Sequence, residues 1–215
     1  MQEAWLLLKQ GGIVMIPLIL SSILVVAIII ERSFVLRKKK ILIPEIVNVI
    51  ETIKKPEDVH LAISICQKKK GAFSSIVQLG LENKSLPKFE LKELITDQGR
   101  QEVRTLEKGL VILETVAGIA PLLGLLGTVI GMIKVFDVIS QQGLGQTQAL
   151  SGGISQALIT TVIGLSIGIP SLVVYNYFTD KAENLIMDIE KFTTQLLRKL
   201  STFHAASNAE SSSGV

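Results

Sequence analysis

The residues best placed to do chemistry in this chain are two threonines set in long uncharged stretches. Thr128 lies in APLLGLLGTVIGM, residues 120–132, and Thr161 in GISQALITTVIGLSIGIPS, residues 153–171. A hydroxyl in an apolar segment either ties helices together or lines a polar path. Other chemistries lack their parts. GLSIG at 164–168 formally matches the G-x-S-x-G nucleophile elbow, but that motif needs a strand-turn-helix setting and a histidine partner. The two histidines, His60 and His204, lie on segments remote from it in sequence. With one cysteine, Cys66, they form no metal-ligand cluster at useful spacing and no disulfide framework. Neither an enzyme nor a cofactor or metal site is expected. Asn83-Lys84-Ser85 has the spacing of a glycosylation acceptor, but reads as an ordinary surface loop.

The elements carrying the threonines have membrane dimensions. The composition is 48% hydrophobic and 19% charged, with mean hydropathy +0.48. Three stretches are nearly free of charge: 11–30, 109–133 with Glu114 alone, and 154–178. A helix crosses the hydrocarbon core with roughly 20 apolar residues, so three spans are expected. The first is too long to read as a removable signal peptide. ERSFVLRKKK follows the first span, no Lys or Arg occurs in 137–153, and Lys181, Lys191, Arg198 and Lys199 follow the third. The positive-inside rule then predicts an external N-terminus and a cytoplasmic C-terminus. The net charge of +3 gives no reason to expect nucleic acid as a partner.

The expected organisation is all-α. A lead-in with Trp5 and a first span fill 1–31, a cytoplasmic helical region 32–105, and a second span with a cytoplasmic extension 106–137. An external loop covers 138–153, the third span 154–178, a cytoplasmic helix 179–203, and a disordered tail 204–215. Pro56, Gly71 and Pro87 punctuate the cytoplasmic helices, and the pattern from Lys88 runs helically into span two. Leu185, Ile189, Phe192, Leu196, Leu200 and Phe203 form one helical stripe.

Small residues mark the faces on which the spans meet. Gly118, Pro121, Gly124, Thr128 and Gly131 recur at steps of three and four, as do Ala157, Thr161, Gly164, Gly168 and Ser171. Gly118, Gly124, Gly127, Gly131, Gly164, Gly168 and Pro170 are the expected helix-packing positions, because helices in lipid associate through small side chains. Thr128 and Thr161 fall at matching depth, roughly 10–12 Å inside the same boundary at about 1.5 Å per residue. Pro121 and Pro170 each free a carbonyl one turn earlier, on Ala117 and Ser166. Glu114 lies about 40° from Thr128 around the helix and either faces the same cavity or is solvated at its mouth. Lys134, near the outer end, is expected to snorkel. No span holds an ionisable group near its middle, so a proton path would need a carboxylate brought by a partner's helix.

APLLGLLGTVIGM and GISQALITTVIGLSIGIPSLVVYNYF resemble the two long motifs of the MotA/TolQ/ExbB proton-channel family. The three-span plan is similar to its ExbB/TolQ branch rather than to the flagellar stators, which generally have a fourth span. The resemblance implies an inner-membrane homopentamer whose second and third spans line a pore. A dimer of an ExbD- or TolR-like single-span protein would occupy that pore and carry the proton on an aspartate. Proton motive force would then drive movement passed to TonB, or to TolA in envelope maintenance; a non-conducting scaffold is the other reading. Thr128 and Thr161 match the family's pore threonines, and Pro121, Glu114 and Gln156 join them as candidate path residues. Gln156 departs from relatives that carry glutamate there, and glutamine cannot titrate.

Overall fold

The structure, a computed structural model, describes residues 11–53, 58–69, 71–143 and 147–212. The expected lead-in with Trp5, and Pro56, lie outside these residues. Every regular element among them is helical. A 3₁₀ turn, Gly12–Val14, leads into α1 (Met15–Val35). Then come α2 (Lys38–Ile41), α3 (Pro44–Thr52), α4 (Asp58–Lys68), α5 (Ala72–Glu82), α6 (Lys88–Glu107), α7 (Leu110–Gln142) and α8 (Thr147–Ser212). Among the described residues three stretches are long and apolar enough to cross a membrane: Gly12–Val35, Leu110–Gln141 and Thr147–Thr202.

The chain divides into two compact units, Met1–Arg32 with Gly109–Phe178, and Ser33–Lys108 with Thr179–Val215. In the first, α1 places Pro17 in its opening turn, where the missing N–H costs no helical bond. Its buried side is drawn by Leu18, Val25 and Ile28, while Ile16, Leu20 and Ile23 stay exposed. On α7 and α8, Leu122, Val129, Val162 and Ile169 are likewise exposed. A surface so apolar is matched to hydrocarbon or to other apolar helices.

The second unit is built as a water-soluble core would be. Phe73, Ile76, Val77 and Leu81 of α5 are almost fully buried, as are Ile46 and Ile50 of α3. Leu185, Ile189, Leu196 and Leu200 bury the predicted stripe of α8, and the Phe192 ring lies 5.8 Å from that of Phe73. Gly71 and Pro87 stand just before α5 and α6, as their turn chemistry predicts. Lys199 Nζ donates to the carbonyls of Glu51 (2.6 Å) and Ile53 (3.2 Å), so a cation satisfies the C-terminal end of α3. Glu45, paired with Lys69, is held below the usual carboxylate range, first by its backbone hydrogen bond and then by that partner.

Three boundaries differ from the sequence reading. Helix α6 does not run into the second span: Lys108 (φ −51°, ψ 131°) and Gly109 (φ 85°, ψ −19°) adopt the angles of a type II turn. Helical periodicity cannot reveal such a break, because both sides keep the same repeat. The expected loop 138–153 is shorter, since α7 continues to Gln142 and α8 begins at Thr147. Gly143 closes α7 with φ 72°, its N–H donating to the Ile139 carbonyl at 3.0 Å. Finally, α8 continues through 204–212, where low complexity predicts disorder. Extending a helix costs far less than nucleating one, and alanines there do not stop it.

Two outcomes follow from these local features. Gly109→Ala forces a Cβ into a left-handed conformation at a cost of about 1–2 kcal/mol, lowering the detergent-solubilised protein's thermal midpoint. Burial raises the Cys66 thiol above its ordinary 9.0, so the folded second unit favours the neutral thiol. That contribution to stability is complete below pH 9.0 and is lost as pH climbs through the raised value. Iodoacetamide should therefore label Cys66 only under conditions that unfold the unit.

Candidate functional site

The site is a seam between α7 and the first half of α8, which run antiparallel with almost no side chain between them. A Cβ placed on Gly124 would stand 2.9 Å from the Thr160 carbonyl oxygen and 3.1 Å from Thr161 Cα. One on Gly164 would stand 2.6 Å from the Ala120 carbonyl oxygen and 3.0 Å from Gly124 Cα. Gly131 packs in the same way against Gly153 and Ala157, and Gly168 against the Pro121 ring. Only glycine leaves room for backbones this close, and the approach also brings Cα–H groups to facing carbonyls. The carbonyl released by Pro121, on Ala117, is covered by Gly168: a Cβ there would lie 3.2 Å from its oxygen.

This register brings the two predicted hydroxyls together. Thr128 Oγ1 and Thr161 Oγ1 are 3.1 Å apart. Both also reach the Gly124 carbonyl oxygen, at 3.2 Å and 3.3 Å. Three oxygens thus share two protons, so one of the three contacts has no hydrogen at any moment. The hydroxyl bonds are half-buried, so the two threonines stay partly accessible. A carboxylate arriving there can accept a hydrogen bond from one threonine while the other keeps Gly124 satisfied. A protonated acid can instead donate to a free hydroxyl lone pair. The cluster can therefore bind an acid in either state.

The neighbouring Thr160, which sequence reasoning passes over, does a different job. It is fully buried, its methyl and hydroxyl filling the notch left by Gly127, and its Oγ1 donates to Gln156 and Ala157 carbonyls at 3.0 Å. The signal for it was the Thr-Thr pair itself, since consecutive residues on a helix point about 100° apart.

Other expected residues separate from the cluster. Gln156 is 6% exposed and lies inside the first unit, about 140° around α8 from Thr161. Lys134 does not extend freely, because its Nζ donates to Gln156 Oε1 at 2.9 Å. The matched register that pairs Thr128 with Thr161 also pairs these two, and this was the readable clue. Glu114 is exposed, and Pro121 is half-buried in the seam. Gly118 meets nothing within 4 Å, since it lies about 120° around α7 from Gly124. Pro170 is exposed on the side of α8 opposite Thr161, about 180° away, so neither of these two packs helices within the chain. Residues 164–168 are helical, which removes the strand-turn-helix context of a nucleophile elbow.

Residues 68–191, which include the seam, match the sequence profile of the MotA/TolQ/ExbB proton channel family. The chain belongs to that family. Its relatives bear the names of the ExbB/TolQ branch. A putative biopolymer transport protein, ExbB-like 3 of Synechocystis, is 30% identical over 202 residues, covering 90% of this chain and 93% of that protein. ExbB of Aquifex aeolicus is 39% identical over 87 residues, 40% of this chain and 59% of its own. TolQ of Haemophilus influenzae is 36% identical over 103 residues, 46% and 45% respectively. This is thus a multi-pass membrane protein of a proton-channel family associated with biopolymer transport, and the matched region contains the whole α7–α8 seam.

The seam is testable by contrast. Gly164→Val should separate the helices and cost about 1–3 kcal/mol by overpacking, read as a fall in thermal midpoint. Gly118→Ala, facing open space, should leave the midpoint unchanged or slightly higher.

Proposed function

We propose that this chain is the ring-forming subunit of an ExbB/TolQ-type inner-membrane motor that couples proton flow to movement of a partner. Thr128, Thr161 and the Gly124 carbonyl carry the reading, as a half-buried hydroxyl cluster able to hold an acid in both protonation states. The acid comes from elsewhere, because α7 and α8 offer no carboxylate at that level. An ExbD- or TolR-like single-span partner with an aspartate supplies it, inside a homopentameric ring lined by α7 and α8. The partner aspartate accepts a proton from the periplasmic side, is neutralised at the cluster, and releases it towards the cytoplasm as ring and partner rotate. The basic segments after α1 and along the end of α8 favour a periplasmic N-terminus and a cytoplasmic C-terminus. Energising TonB-dependent outer-membrane transport fits the relatives named ExbB; a Tol-Pal role with a TolA-like protein fits the one named TolQ.

The experiment is proton flux into proteoliposomes holding the chain with its co-purified single-span partner. Thr128→Val combined with Thr161→Val should lower flux at least tenfold while ring assembly persists. Undiminished flux in the double variant removes the hydroxyls from the path. A wild-type complex that assembles and passes no protons leaves a scaffold.

A further inference from the structure

Lys134 and Gln156 carry chemistry that the hydroxyl cluster does not use. Lys134 lies six residues beyond Thr128 on α7, about 9 Å along the axis. Its Nζ donates to Gln156 Oε1 at 2.9 Å, and Gln156 Nε2 donates onward to the Gly11 carbonyl at 3.4 Å. The amide is buried and held at both ends, so its oxygen is fixed towards the lysine. The turn fits closely around it: Gly12, at φ 69°, has no space for a Cβ beside the Gln156 amide. A carboxylate at 156 would neutralise the ammonium. An amide only orients it and leaves its whole charge in place.

The electrostatic surroundings of Lys134 are sparse among the described residues. On α7, Asp137 is exposed three residues further on, with no ion pair to Lys134, and Glu114 lies near the opposite end. On α8, residues 147–178 include no charged side chain, and Tyr175 and Tyr177 sit at the far end. The turn and α1 contribute none from 11 to 30. Among the described residues Lys134 is the charge nearest the hydroxyls on the approach from that end, with Asp137 about one turn farther out.

We infer that Lys134, oriented by Gln156, favours the ionised form of an acid lodged at the Thr128–Thr161 pair and so biases that site towards proton release. This rests on the reading of the pair as an acid's docking place. A unit charge at about 9 Å displaces an acid's ionisation midpoint by about a third of a pH unit in water and by about 1.4 units at an effective dielectric of about 20. Gln156 is the positioning residue, acting only through the lysine.

The test reads the acid directly. A synthetic single-span peptide with one ¹³C-carboxyl aspartate is bound to the full chain in lipid nanodiscs, and its carboxylate band is titrated by infrared spectroscopy. Lys134→Gln should raise the midpoint by about half a unit or more. Gln156→Glu, nearly identical in shape, should raise it in the same direction by neutralising the lysine. Lys134→Arg should keep the wild-type midpoint. A bound peptide whose midpoint is the same in all four proteins overturns the inference and leaves the docking reading intact. A peptide that fails to bind the wild-type chain, or whose midpoint ignores Thr128→Val with Thr161→Val, overturns the docking reading and this inference with it.

Discussion

The structure of the first unit depends on one constraint, the near-contact of two helix backbones. In lipid no water is released when apolar side chains meet, so helix pairing relies on dispersion, close approach and a few polar bonds. Glycine at 124, 131, 164 and 168 lets α7 and α8 approach until backbone atoms of one helix face those of the other. That proximity brings Thr161 within reach of the Gly124 carbonyl, which Thr128 already meets from within its own helix. Thr128 bonds back within its own helix, as Thr115 does onto the Val111 carbonyl at 2.7 Å; were the helices a side chain further apart, Thr161 would lose both Gly124 and Thr128.

The same register explains why the polar groups of this unit fall in separate layers. Thr128 with Thr161 forms one layer, and Lys134 with Gln156 the next towards the connection between the helices. Each layer is a bridge between α7 and α8, so each also fixes the register that created the other. The layers differ in chemistry. The first has two movable protons among three oxygens and no charge; the second has a charge and an amide that holds it still. A site that must accept acid in two states benefits from a neutral, adaptable cluster, while a fixed charge serves better at a distance, where it biases without competing for the acid.

The second unit shows what the apolar unit lacks. Its interior is closed by Phe73, Leu81, Leu196 and Leu200, and its helix ends are satisfied by side chains such as Lys199. In water such a unit can gain stability by burying apolar area. The first unit cannot, and it leaves residues such as Leu122, Val129 and Val162 exposed. Those faces need lipid or further helices around them.

Much of this was legible in the amino-acid order. Three nearly uncharged stretches determined the number of spans expected, because no loop in hydrocarbon can satisfy its own backbone. The glycine spacing and equal depths singled out Thr128 and Thr161, since periodicity and rise per residue are properties of any helix. The long motifs pointed to the family. Tertiary structure alone decided which of two adjacent threonines is packed and which is open, because a rotation of about 100° matters only relative to a neighbour. It also decided that Gln156 faces inward to hold Lys134, and that Gly118 and Pro170 stand outside the seam. The turn at Lys108 and Gly109 was equally invisible beforehand: one glycine permits a left-handed residue, but only the surrounding chain makes it take that form.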